Sequence, residues 1–182
     1  MSTGADTVGT ETWQVGVVVE RRRLANRWID HAWQAVQVLP GAPASPPWTR
    51  LGEGEGWERF YAGPAELQLY RRETISYKYN LESSQPSVFV VLRRSDDERG
   101  ISLHLATVCA GEAHAYAESM DDKVESVPMP EEIRSWVADY VARHHVEEKF
   151  YKRKRTKADT EALARRSFLY ESDPLRQMPE DE

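Results

Sequence analysis

The chain has 182 residues, 40% of them hydrophobic and 30% charged, with 30 Asp and Glu against 24 Lys and Arg for a net charge of −6. Those figures predict one globular domain with tails, and they exclude a collagen-like repeat, a disulfide scaffold and a wholly disordered chain. No run approaches the ~18 apolar residues of a membrane span, and the acidic total disfavours phosphate backbones and anionic lipid.

Met1 to Thr12 is polar and lacks a basic n-region and an apolar h-region, so a disordered arm and cytoplasmic residence are expected. Trp13 to Val19 is short, nearly continuously apolar and rich in valine, which predicts a strand buried on both faces. Arg21 to Arg23 interrupt it. A second strand is expected over Trp33 to Leu39, followed by Pro40 to Pro47, where four prolines in eight residues predict an exposed loop of polyproline character. Gly52, Gly54 and Gly56 alternate with Glu53 and Glu55 and read as a turn feeding a strand at Trp57 to Tyr61. A phosphate cradle there is disfavoured by the two carboxylates and by the missing strand-to-helix context.

Apolar residues alternate from Ala65 to Leu81, a stretch too long for one strand, so two strands turning around Arg72 to Thr74 are expected. Val88 to Leu92 predicts a second doubly buried strand, Ser95 to Gly100 a turn, and Ile101 to Val108 a strand with His104 on the parity opposite Ile101, Leu103 and Leu105. Gly111 to Ser119 has helical propensity, and Val124 to Val127 suits a short edge strand. Pro130, Glu131 and Glu132 start a helix whose stripe is Ile133, Trp136, Val137, Tyr140 and Val141, with Arg143, His144 and His145 at its negative end. The fold class expected is α+β, mainly antiparallel β: a bent sheet, sandwich or small barrel packed by a C-terminal amphipathic helix. The domain limits are an arm at 1–12, one globular domain at 13–147 and a tail at 148–182.

The chemistry is sparse. The chain has no nucleophile elbow, P-loop, dinucleotide fingerprint or H-E-x-x-H pair, and its five histidines have no standard ligand spacing. No catalytic residue, metal site or cofactor is therefore expected. The lone Cys109 forms no internal disulfide and reads as a small buried side chain at a strand end. Arg71 and Glu73 share parity with Leu69 and Ile75; with Arg72, Tyr77 and Asn80 they form either a structural pairing at a bend or a polar pocket. Trp28 and Trp33 crowd one segment, as core filling or as a partner-binding anchor. Residues 148–157 carry six basic residues against one acid, centred on Lys152, Arg153, Lys154 and Arg155. That run suits docking onto an acidic protein surface, and Phe150 and Tyr151 beside it suit stacking on nucleic-acid bases.

Several segments together resemble an uncharacterised bacterial domain-of-unknown-function family. They are Val15 to Glu20, Trp28-x-Asp30-His31-x-Trp33, Val38 to Gly41, Leu69-x-Arg71-x-Glu73-Thr74-x-x-Tyr77-x-x-Asn80 to Ser83, Val127 to Pro130, Trp136-Val137, His144 to Val146 and Phe150-x-Lys152 to Arg155. The likeness spans about residues 13 to 156. The family is commonly encoded near molybdenum-dependent formate dehydrogenase genes, and its members are sometimes labelled molybdopterin-guanine dinucleotide biosynthesis protein A. The resemblance thus implies a formate-dehydrogenase accessory protein whose partner is a dehydrogenase subunit or its maturation machinery. Its alternative is a handler of a pterin or nucleotide, with a molybdopterin-type ligand near Arg71, Arg72 and Glu73. The family carries over no catalytic residue. Nucleic-acid binding through the tail is a third alternative.

Overall fold

Branching at Cβ in Val15, Val17, Val18 and Val19 favours an extended backbone, and these residues form the middle of strand β1 (Glu11–Arg23). In the computed structural model, which describes residues 9–25 and 31–146, β1 lies between two antiparallel neighbours, β2 (His31–Pro40) and β4 (Trp57–Leu69); β3 (Thr49–Gly54) pairs with the far side of β4. Two bulges face each other across β1. Ala62 of β4 is the extra residue opposite Val17 and Val18, and Val36 of β2 is extra opposite Val18 and Val19. A bulge raises local twist and bends its strand, so this sheet curves at its midpoint.

A second, three-stranded antiparallel sheet has β5 (Ser87–Arg94) at its centre, flanked by β6 (Ile101–Thr107) and β7 (Asp122–Pro128). Val15, Val17, Val19 and Leu67 of the first sheet meet Val88, Val90, Leu92 and Val127 of the second in one core. Among the described residues three α-helices complete the architecture: α1 (Thr74–Glu82), α2 (Ala110–Ala117) and α3 (Glu131–His144). The described residues form an α+β fold with two antiparallel sheets and no closed barrel. Helix α3 starts at Pro130 with Glu131 and Glu132 in its first turn, and it buries Ile133, Val137 and Tyr140 in the shared core. Helix α2 packs on β5 and β7 and buries Ala113.

Three expectations need correction. The arm ends earlier than Thr12, because β1 begins at Glu11, whose carboxylate accepts bonds from Arg143 Nη1 (2.6 Å), Arg143 Nη2 (3.1 Å) and Trp136 Nε1 (3.2 Å) on α3. The proline loop is exposed as expected from Ala42 to Pro47, and it lies against the first sheet, where the Tyr61 hydroxyl donates to the Pro43 carbonyl at 3.4 Å. A Cβ on Gly16 would lie 2.9 Å from Pro43, and Gly63, at φ 134°, sits 3.4 Å below Pro47 by the same construction. Glycine at both positions is what lets the loop approach the sheet.

The second correction concerns Ala65 to Leu81. The strand stops at Leu69, a single 3₁₀ turn follows at Arg71–Glu73, and Thr74 onward is helix rather than strand. Thr74, Tyr77 and Asn80, spaced by three, are the buried residues of α1, the mark of one helical face. Finally, His104 is an extra residue between the pairs Val91↔Leu105 and Leu92↔Leu103. That bulge reverses the strand's parity, so Leu103, Ala106 and Val108 join the core while Leu105 does not. Residues 1–8, Trp28 and the tail from 148 onward, with Lys152, Arg153, Lys154 and Arg155, lie outside the described residues.

Candidate functional site

The turn Arg71–Glu73 and helix α1 bring several of the sequence's candidate residues to one segment but divide them between two sides. Tyr77 and Asn80 point inward. Asn80 Nδ2 donates to the carbonyls of Ser87 and Val108, both at 2.8 Å, and its Oδ1 accepts the Ser87 N–H at 3.0 Å. One side chain thus joins the end of α1 to the start of β5 and the end of β6. Tyr77 is 1% exposed, its ring lies 6.3 Å from that of Tyr140, and its hydroxyl accepts the Tyr70 N–H at 3.1 Å. Burial pushes the Tyr77 phenol far above its ordinary pKa. Arg71 and Arg72 are exposed on the other side, Arg72 stacked 5.5 Å from the Tyr70 ring and 3.4 Å from Glu73. The two arginines take different places: the Arg71 guanidinium lies against Gly9, whose carbonyl accepts the Tyr140 hydroxyl, while Arg72 stacks on Tyr70.

Glu73 instead meets Cys109. The thiol lies 3.5 Å from Glu73 Oε2 and 3.4 Å from Ser76 Oγ, at the N-terminus of α2. His145 Nδ1 sits 3.2 Å from Thr74 Oγ1, so α3 ends beside the start of α1.

Trp33 is 8% exposed and belongs to the core rather than to a surface anchor. Its ring meets Trp48, Phe60 and His31 at centroid distances of 5.7, 5.5 and 6.1 Å, and Arg21 lies 5.6 Å above it. Its indole N–H donates to the Arg99 carbonyl at 3.2 Å. Two open clefts flank His31. One, of about 350 Å³, is lined by Arg21, Arg23, Trp57 and Glu58; the other, of about 390 Å³, by Trp33, Ile101, Met120 and Lys123. Lys123 donates to the Trp33 carbonyl at 2.6 Å, which masks part of the open edge of β2.

The carboxylates are held by arginines across strands and helices. Glu20, 4% exposed, takes Arg22 Nη2 at 2.7 Å and Arg59 Nε at 3.0 Å. Burial works to raise its carboxyl pKa, but the two guanidiniums outweigh burial and hold it below the usual range. Arg143 lowers Glu11, Arg21 with Arg50 lowers Glu58, and Arg93 lowers Asp122. A carboxyl depressed in the folded state stabilises fully above its unfolded value, 4.5 for Glu, and less as pH falls through the depressed value. The urea midpoint is thus expected to hold from pH 7 down to about pH 5 and to fall below about pH 4.5. Glu20→Gln should flatten that fall; a midpoint level down to pH 3 would contradict the assignment.

Among the described residues, no group of three or more His, Cys, Asp or Glu is placed to hold a metal ion. None of the described helices is long and apolar enough to cross a membrane. The family described as "Protein of unknown function (DUF3305)" matches residues 14–154. The chain belongs to this family. The DUF3305 match covers every element described above except the first residues of β1, and it reaches into the basic run. No curated protein and no solved structure matches the chain. Sequence reasoning missed the outward pair of α1, Ile75 and Tyr79, which are 46% and 66% exposed. Their spacing of four was the available signal, hidden because the same residues also fit a strand's alternation.

Proposed function

We propose that this DUF3305 protein is a non-catalytic accessory protein that acts in assembly or maturation of a molybdenum-dependent formate dehydrogenase by binding a protein partner. The segregation of charge is the observation that carries this reading. Residues 1–146 hold 21 acidic and 15 basic residues, whereas 148–157 hold one acidic and six basic. A cationic segment is complementary in charge to an acidic protein face, and such complementarity speeds and orients association. The roles of the candidate polar residues support the same reading: Asn80, Tyr77, Glu20 and Glu11 each tie one element of the fold to another. The resemblance to a family encoded near formate dehydrogenase genes is the support for choosing this partner.

Co-purification with the formate dehydrogenase at low salt tests the proposal. Replacing Lys152, Arg153, Lys154 and Arg155 together by Ala should lower recovery at least tenfold, and about 0.5 M salt should release the unaltered protein, because exposed charges are screened within a few ångströms there. Unchanged recovery counts against the role of the tail. A pterin or nucleotide found by mass spectrometry at one per chain in the purified protein would replace this reading with a cofactor-handling one.

A further inference from the structure

The outer side of the 3₁₀ turn and α1 combines two features. It is cationic: Arg71 and Arg72 stand side by side and exposed, with the Arg72 side chain 80% accessible. Arg71 has no carboxylate partner among the described residues, and Arg72 has only Glu73, at 3.4 Å. It also presents Ile75 and Tyr79 to solvent, four residues apart on one helical face. The inward bonds of Asn80 and Tyr77 fix the rotation of the helix, so this presentation is built into the fold.

Chemistry selects the occupant. Two exposed arginines at the start of the helix and an exposed apolar pair along it call for carboxylates around a hollow that takes an aliphatic and an aromatic side chain. A phosphate polymer offers no hollow for Ile75, whereas a folded acidic protein carries carboxylates and an apolar recess together. An acidic protein surface satisfies both halves of the face. From charge complementarity we infer that Arg71, Arg72, Ile75 and Tyr79 form a docking surface for an acidic protein partner, with Ile75 and Tyr79 as its apolar centre. This inference rests on the proposed protein-binding function and gives the folded body a part in it, alongside the tail.

Binding of the full chain to immobilised formate dehydrogenase, measured at several salt concentrations, tests the inference. Two double variants are compared, Arg71→Gln with Arg72→Gln and Ile75→Ser with Tyr79→Ser; all four positions are exposed, and an unchanged melting temperature verifies the fold. The arginine variant should bind at least tenfold more weakly at low salt and show a shallower salt dependence. The Ile75/Tyr79 variant should lose at least tenfold with its salt dependence intact. If the unaltered chain binds and both variants bind within twofold of it, the docking surface is wrong while the proposed function stands. If the unaltered chain does not bind, both fall. Variant-sensitive binding to phosphatidylserine vesicles or to a plain oligonucleotide, in place of the dehydrogenase, overturns the inference in favour of that surface.

Discussion

Asn80→Ala is expected to lower stability by about 3–5 kcal/mol, a large share of the roughly 5–15 kcal/mol that holds a domain folded. The change removes three hydrogen bonds at a site where Asn80 is 7% exposed, Ser87 6% and Val108 1%. It takes the donor from two carbonyls and the acceptor from one N–H in a place that water does not reach. A buried polar group left without its partner costs about 1–3 kcal/mol, more than the bond itself contributed. The expected drop in melting temperature is about 10–15 °C. Asn80→Asp gives a sharper test. Its carboxylate still accepts the Ser87 N–H but faces the Ser87 and Val108 carbonyls without a proton to give, so burial and those dipoles raise its folded pKa above the unfolded value. The variant should therefore be strongly destabilised at pH 7 and recover as pH falls toward about 4, where a protonated carboxyl donates one of the two lost bonds. Equal destabilisation at both pH values would show that the amide does not act through these bonds.

Much of the fold is legible because its signals are local. Val15 to Val19 and Val88 to Leu92 are short, β-branched and apolar without interruption, and each became a central strand flanked on both sides. Helix α3 announces itself through Pro130, two glutamates and a stripe at spacings of three and four. Bulges are the opposite case. Whether Ala62, Val36 or His104 is an extra residue depends on the count in the partner strand, so no pattern within one strand reveals it. Strand β3 escapes notice because Gly52 and Gly54 weaken its β signal and its remaining residues are charged or exposed. The segment Thr74–Glu82 is the instructive failure. Thr74, Ile75, Tyr77, Tyr79 and Asn80 are all modest helix formers, and they fit alternation and helical spacing alike. Tertiary context decides between them: only a helix places Asn80 against both Ser87 and Val108 while Tyr77 reaches Tyr70 and Tyr140. The candidate surface inherits that ambiguity. Arg71 and Arg72 stand out in the sequence, but a strand would have buried Ile75, and the apolar half of the face exists only because the segment is helical.

The same argument makes Tyr77 the second position of large effect. Tyr77→Ala should cost about 3–5 kcal/mol, since removing a fully buried ring forfeits its transfer free energy and leaves a cavity between α1 and α3. Tyr77→Phe isolates the hydroxyl. It keeps the ring beside Tyr140 but leaves the Tyr70 N–H, where the chain leaves β4 for the 3₁₀ turn, without its acceptor. The expected cost is about 1–2 kcal/mol. Chemical denaturation of both variants, followed by far-ultraviolet circular dichroism, separates the two contributions. The order unaltered, Phe, Ala is required, with the gap from Phe to Ala the larger. A Phe variant as stable as the unaltered protein would mean that the ring alone anchors α1, and the Tyr70 contact would lose its place in fixing which side of the helix faces solvent. Because that rotation presents Ile75 and Tyr79, the Phe variant should also loosen the outward face, seen as faster amide exchange along Thr74–Glu82 than in the strands of the core.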